Sequence, residues 1–309
     1  MVEVLTAGEI LVEIMRKDLD VPLDIQGLFY GPFASGAPAI FIDQVACLGH
    51  SAGIIGSVGK DEFGEKIIKR LDIDGVDTSF IQSHVEYPTA VAFVSYRKEG
   101  SRKFLYHIPY AAAGHVELPD TERMKNVRLL HVMGCSLMVN REVRETINRA
   151  ARHVKEKGGL ISFDPNIRIE LLKGERLEDV IGTVLELTDI LLPGEKELLE
   201  ITGASSAEEA VKKLQPRNIS TIVIKKGGEG ARLIDKNSDI TVRPFSINEV
   251  DPTGAGDAFD AGFVCGYLEG LGPEKSLSLA NACGALNASY FGPMEGVFHR
   301  NYVDYFIKS

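Results

Sequence analysis

Short, β-rich apolar runs alternate with longer amphipathic ones along most of this chain. Val2 to Ala7 is apolar and closed by Gly8, which predicts a buried strand. Phe41 to Leu48 predicts a helix that stops at Gly49. Ser51 to Val58 reads as a strand, and Asp61 to Leu71 as a helix with Ile67, Ile68 and Leu71 on one side. The rhythm continues with strand 128–133, helix 141–157, strand 159–163 and helix 177–187, then strands 189–192 and 221–225. Strands joined through helices pair in parallel, and their helices cover both faces of the sheet. The expected fold class is therefore α/β, with a doubly wound, mostly parallel sheet.

Two stretches break the rhythm. Residues 11–33 mix short apolar pairs with Pro22, Gly27 and Gly31. Residues 89–109 read as two strands, 89–96 and 103–108, joined by the turn Lys98-Glu99-Gly100-Ser101. Together they predict a small inserted β-sheet. Its expected use is a lid, set on a core of residues 1–10, 34–88 and 110–309. A plain surface hairpin is the alternative for the second stretch.

Composition narrows the function classes. The 309 residues are 44% hydrophobic and carry a formal net charge of -10. An acidic chain repels a phosphate backbone, so nucleic acid is not an expected partner. No apolar run reaches the ~18 residues of a membrane helix, and no basic segment followed by an apolar one opens the chain. The cysteines Cys47, Cys135, Cys265 and Cys283 lack metal-type spacing and read as buried reduced thiols. A cytoplasmic location is expected from these points.

The segment from Val250 to Phe263 carries the chemistry. Pro252 and the glycines delay helix formation until about Ala258, which leaves Gly254, Ala255 and Gly256 at a helix start. Their N–H groups have no intrahelical partners, and small side chains let an anion approach them. The helix dipole favours negative charge there. Asp257 follows at once. A carboxylate beside an anion hole is suited to take a proton from an attacking alcohol rather than to bind phosphate. A lone Gly-x-Gly-Asp reads first as a helix N-terminal cap; the longer string favours the site.

The full string Asp-Pro-Thr-Gly-Ala-Gly-Asp-Ala-Phe-x-Ala-Gly-Phe resembles the C-terminal signature of the PfkB, ribokinase-like carbohydrate kinases. Similarity extends from Gly8-Glu9 through Gly292. The resemblance implies ATP with Mg²⁺ and often a monovalent cation such as K⁺. It implies Asp257 as catalytic base and Gly254, Ala255 and Gly256 as the anion hole. Lys225 to Ala231, with Gly227 and Gly230, is similar to the family's nucleotide-side turn. Asp164-Pro165-Asn166-Ile167-Arg168 resembles a segment of fructokinases and 2-keto-3-deoxygluconate kinases; there Asn166 would serve the cofactor and Arg168 the substrate. The segment around Asn281 resembles the helix beside the adenine. Ser35-Gly36-Ala37-Pro38 is similar to the sugar-side loop, with Gly36 and Ala37 at the sugar. Glu197 is implied as a Mg²⁺ residue acting through water, and Asp251 as the candidate for the monovalent cation.

The chain departs from the family pattern on the substrate side. Glu13 stands where Asp is usual, Ile40 replaces the Asn that closes the sugar loop, and Gly194 replaces an Asn near Glu197. Tyr106 and His107 on the expected lid are candidates to contact substrate. The leading expectation is an ATP-dependent sugar kinase acting on a 2-keto-3-deoxygluconate-like or fructose-like acceptor. A nucleoside kinase and a non-catalytic sugar- or nucleotide-binding regulator are the alternatives. The resemblance also suggests a homodimer formed through the lid.

Overall fold

The computed structural model describes residues 2–309. Among the described residues thirteen strands form two sheets: β1 Val4–Ala7, β2 Leu11–Arg16, β3 Phe29–Ser35, β4 Ala52–Gly59, β5 Ile81–His84, β6 Ala90–Tyr96, β7 Arg102–His107, β8 Leu129–Met133, β9 Leu160–Asp164, β10 Ile190–Leu191, β11 Thr221–Lys225, β12 Ala231–Asp235 and β13 Asp239–Val242. The large sheet has nine strands in the order β13-β12-β11-β10-β9-β8-β1-β4-β5. It is parallel from β5 to β11, and only β12 and β13 run antiparallel, at one edge. The second sheet has four strands in the order β3-β2-β6-β7.

The inner parallel strands β1, β4, β8 and β10 are buried along their length and mostly apolar because helices cover both of their sides. In β8, Leu129 and Met133 enter one core cluster while Leu130 and Val132 enter the other. The helix Arg141–Glu156 shows how one face is closed. Val143, Ile147, Ala150, Ala151 and Val154 recur at helical spacing and are buried. Its N-cap, Asn140, accepts from the Val143 amide at 2.9 Å. On the opposite face, helices Ala255–Leu268 and Pro273–Ala288 pack so closely that a Cβ on Gly262 would lie 2.8 Å from the Ala280 Cα.

Several boundaries differ from the sequence reading for identifiable reasons. The helix expected from Phe41 starts at Ala37, because Pro38 is tolerated in a first turn. Residues 11–33, expected to belong to the inserted β-sheet, form β2 and most of β3, and β3 continues two residues further, to Ser35. The edge strands β12 and β13 were not expected; their partial exposure dilutes the apolar pattern. Among the described residues no helix is long and apolar enough to cross a membrane.

The two sheets are joined through Asp61. Its carboxylate accepts from the Gly64 amide at 2.9 Å, capping the helix Glu62–Ile73. It also accepts from the Thr89 amide at 2.8 Å and the Thr89 hydroxyl at 2.6 Å, just before β6. Burial would raise its pKa, but the Thr89 and Gly64 donors outweigh that and hold it below the usual range. The stabilisation is thus present at neutral pH and is lost as pH falls through the lowered folded-state value. Asp61→Ala is expected to cost about 1–3 kcal/mol in urea denaturation at neutral pH. An unchanged midpoint would contradict this role.

Candidate active site

The carboxyl ends of the parallel strands converge on one cleft, as ligand sites do in open α/β sheets. Glu9 lies just after β1, Cys135 after β8, Asp164 closes β9 and Lys225 closes β11. The second sheet covers the opening with Glu13 from β2 and with Arg102, Phe104 and Tyr106 from β7. The helix Ala255–Leu268 points its N-terminus into the same cleft, which holds about 220 Å³.

That helix start depends on Gly254, whose φ of 79° is a left-handed conformation that suits glycine. A Cβ there would also lie 2.3 Å from the Pro293 carbonyl oxygen. Asp257, in the first turn, is 8% exposed and lines the cleft. Burial pushes its pKa up to about 8, with Asp164 and Glu9 adding to the rise and Lys225 and Arg168 opposing it. Asn166 Nδ2 donates to Asp257 Oδ1 at 3.2 Å and so orients the carboxyl group. Asn166 itself is held at φ 34° after the end of β9.

Lys225 fixes the floor. Its ammonium donates to Asp164 Oδ2 at 2.8 Å and to Asp260 Oδ1 and Oδ2 at 3.1 and 3.0 Å. Burial alone would lower its pKa; Asp164 and Asp260 together hold it above the ordinary range. The ammonium lies 3.9 Å from where a Cβ of Gly256 would stand, directly below the helix N-terminus. The Ala255 amide, expected to be unpaired, donates to the Pro252 carbonyl oxygen at 3.3 Å.

A second cavity of about 220 Å³ opens on the other side of the helix start. Gly227, Gly228 and Gly230 from the turn after β11 line it, with Phe245, Asn281 and Ala285. Lys225, Pro252 and Gly256 line both cavities, so the two meet at the helix N-terminus. Asn281 donates to the Val242 and Arg243 carbonyls at 3.4 and 3.1 Å, which anchors that wall.

The cleft contains polar groups with spare capacity. Glu13 accepts from the Ser35 hydroxyl at 2.6 Å through Oε1, while its buried Oε2 has no partner. Burial pushes its pKa up to about 7, against the opposing effects of Ser35 and Arg102. Glu9 accepts from the Cys135 thiol at 3.1 Å and the Ser136 hydroxyl at 2.5 Å, and burial raises its pKa too. Gly36 and Ala37 form the wall beside Glu9; a Cβ on Gly36 would lie 2.4 Å from the Glu9 carbonyl oxygen. Among the described residues, neither Arg102 nor Arg168 forms an ion pair with a carboxylate. Burial of Tyr106 raises its phenol pKa, and Arg168 partly offsets this.

Three expectations change. His107 does not face the cleft: side chains alternate along β7, so Arg102, Phe104 and Tyr106 point inward while Leu105 and His107 point outward. Asn166, expected on the cofactor side, lies in the first cleft against Asp257, because β9 ends there. Gly254 also lies in the first cleft, with Gly256 at the shared boundary. Glu9, Ser35, Cys135 and Arg102 were not singled out beforehand. The signal for Glu9 was available, a charged residue directly after a buried strand and a glycine.

Two carboxylates bear on cation binding. Glu197 accepts from the Ile167 amide at 2.9 Å and the Gly194 amide at 2.8 Å, so each oxygen keeps one lone pair free. This fits a cation held through water, since Mg²⁺ retains several of its waters. Asp251 is 1% exposed and accepts from Tyr96, from the Thr253 amide at 3.0 Å and from the Gly292 amide at 3.1 Å. It ties the second sheet to the loop before the helix.

Lys225→Met would leave two buried carboxylates without their cation. It is expected to destabilise the fold by about 3–5 kcal/mol in chemical denaturation. A loss below about 1 kcal/mol would show that the triad is not a supporting contact.

Comparison with known proteins agrees with this geometry. Residues 33–299 match the pfkB family carbohydrate kinase profile. Fructokinase-1 of Oryza sativa subsp. japonica is 31% identical over 94% of this chain and 92% of its own. A candidate ribokinase II from E. coli, solved in complex with ATP and Mg²⁺, superposes with a TM-score of 0.94 at 40% identity, covering 100% of this chain and 99% of that one. A fructokinase double mutant from Vibrio cholerae, solved with fructose, ADP and potassium, superposes with a TM-score of 0.82 at 25% identity, covering 99% and 98%. The chain belongs to the pfkB family of carbohydrate kinases.

Proposed function

We propose that this kinase transfers the γ-phosphoryl group of ATP to a hydroxyl of a fructose-like sugar, with Asp257 as general base. The observation that carries the reading is the position of Asp257. It is a buried carboxyl group in the first turn of a helix whose N-terminus lies where two cavities meet. The acceptor sugar occupies the first cleft. Glu13 Oε2, Glu9 and Gly36 meet its hydroxyls, and Arg168 and Tyr106 close over it. The nucleotide occupies the second cavity along Gly227, Gly230 and Asn281, the last two as walls rather than charged contacts.

Asp257 takes the proton of the attacking hydroxyl while Asn166 keeps the carboxyl group turned toward it. The amides of Gly254, Ala255 and Gly256 hold the migrating phosphoryl group, and the helix dipole adds a favourable potential for its charge. Mg²⁺, when bound with ATP, neutralises charge on the phosphates; Glu197 would hold it through water. A K⁺ site is proposed beside Asp251, by analogy with the potassium-bound Vibrio cholerae relative. The second sheet acts as a lid that excludes water, which would otherwise compete for the phosphoryl group.

A sugar acid is the second reading. Arg102 and Arg168 face the cleft without a carboxylate partner among the described residues, and a planar guanidinium matches a carboxylate. The outward face of the lid, with Leu105 48% exposed beside Phe93 and Val91, is the proposed face for a second copy. The buried free thiols fit a reducing cytoplasm.

An ADP-release assay across ketoses, sugar acids and nucleosides tests the acceptor. Turnover with a ketose is expected; turnover with a nucleoside alone would overturn the reading. Asp257→Asn is expected to lower kcat by about 10²-fold or more while ATP still binds. Near-normal turnover in that variant would remove Asp257 from the mechanism.

A further inference from the structure

Outside the cleft, Cys47, Asp74 and His299 bring one donor atom each to within 4.8 Å of one another. They come from three separate helices. Cys47 is the last residue of the helix Ala37–Cys47, and Asp74 caps the carboxyl end of the helix Glu62–Ile73. His299 stands before the helix Arg300–Lys308. We propose that these three residues form a site for a thiophilic divalent cation of the Zn²⁺ class, which pins the C-terminal helix to the core.

The local charge favours a cation. The carboxyl ends of two helices meet here, and each contributes partial negative charge. Asp43 lies one helical turn before Cys47 and is completely buried. Arg70 donates to Asp43 at 2.9 Å and to Asp74 at 2.6 Å, so a single guanidinium serves two carboxylates. Asp43 Oδ1 is still left without a partner. Burial, then Asp43 and Asp74, push the Cys47 thiol above its ordinary pKa, so its sulfur keeps its proton in the absence of a stronger positive charge.

A divalent ion would supply that charge. On binding, the S–H bond breaks, the proton leaves to solvent and the sulfur–metal bond takes its place. Sulfur, imidazole nitrogen and carboxylate oxygen form a mixed donor set that selects Zn²⁺ or Co²⁺ over Mg²⁺. The imidazole is exposed, so it can turn to close the set, with water as a fourth ligand. The site lies apart from the cleft residues and does not depend on the acceptor or the mechanism proposed above.

The test is a Co²⁺ titration of the full chain after chelator treatment, read by absorption. One equivalent is expected to produce a near-ultraviolet sulfur-to-cobalt band and visible ligand-field bands. Zn²⁺ should displace them and Mg²⁺ should not. Cys47→Ser should abolish the sulfur band, and His299→Ala should weaken Co²⁺ binding at least tenfold. His299→Ala decides the matter if the buried serine variant fails to fold, because the histidine side chain is exposed. Absence of the sulfur band, its survival in Cys47→Ser, or unchanged Co²⁺ affinity in His299→Ala would overturn the proposal. Survival in Cys47→Ser would point instead to Cys135 in the cleft.

Discussion

The ammonium of Lys225, held between Asp164 and Asp260, is the contact on which the rest of the site depends. It joins the ends of β9 and β11 to the second turn of the helix Ala255–Leu268. Each of these elements has its own reason to form: apolar strands in the sheet, and a helix released by Pro252 and Gly254. Apolar packing of Ala258, Ala261 and Val264 seats the helix on the sheet. The buried ion triad fixes its register there, and its low-dielectric surroundings make the geometry strict. With the helix so placed, the amides of residues 254–256, the Asp257 carboxyl group and the Asn166 amide fall within one small volume.

Desolvation then acts on the groups unequally. Lys225 stays charged because two carboxylates surround it, whereas Asp257 and Glu13 are pushed toward their neutral forms by burial. A cleft with a charge-balanced floor and carboxyl groups of raised pKa is suited to hydroxyl substrates. The second sheet contributes by excluding solvent and by placing Glu13, Tyr106 and Arg102. Tyr96 links that sheet to Asp251, so its position is coupled to the loop that opens the catalytic helix.

Much of this was legible in the residues. Strand–helix alternation specifies a parallel sheet because each apolar run must be covered twice, and the Pro252-to-Asp257 string specifies a helix start. What was not legible depended on direction in space. Alternation along β7 turns His107 away from the cleft although its neighbour Tyr106 enters it. Asn166 lines the first cleft rather than the second, and a sequence segment does not reveal which side of a strand end it folds toward. Glu9 and Cys135 come from different strands and meet only through sheet order. The antiparallel edge β12–β13 carried too little apolar pattern to be seen.

The central claim is that Asp257 accepts the proton while the helix amides hold the phosphoryl group. The pH dependence of kcat/KM for the acceptor sugar tests it most directly. A carboxyl group whose pKa is raised to about 8 is protonated, and inactive as a base, below that value. The rate constant should therefore climb with pH and level off above about 8. A profile flat from about pH 6 to about pH 9 would contradict the assignment.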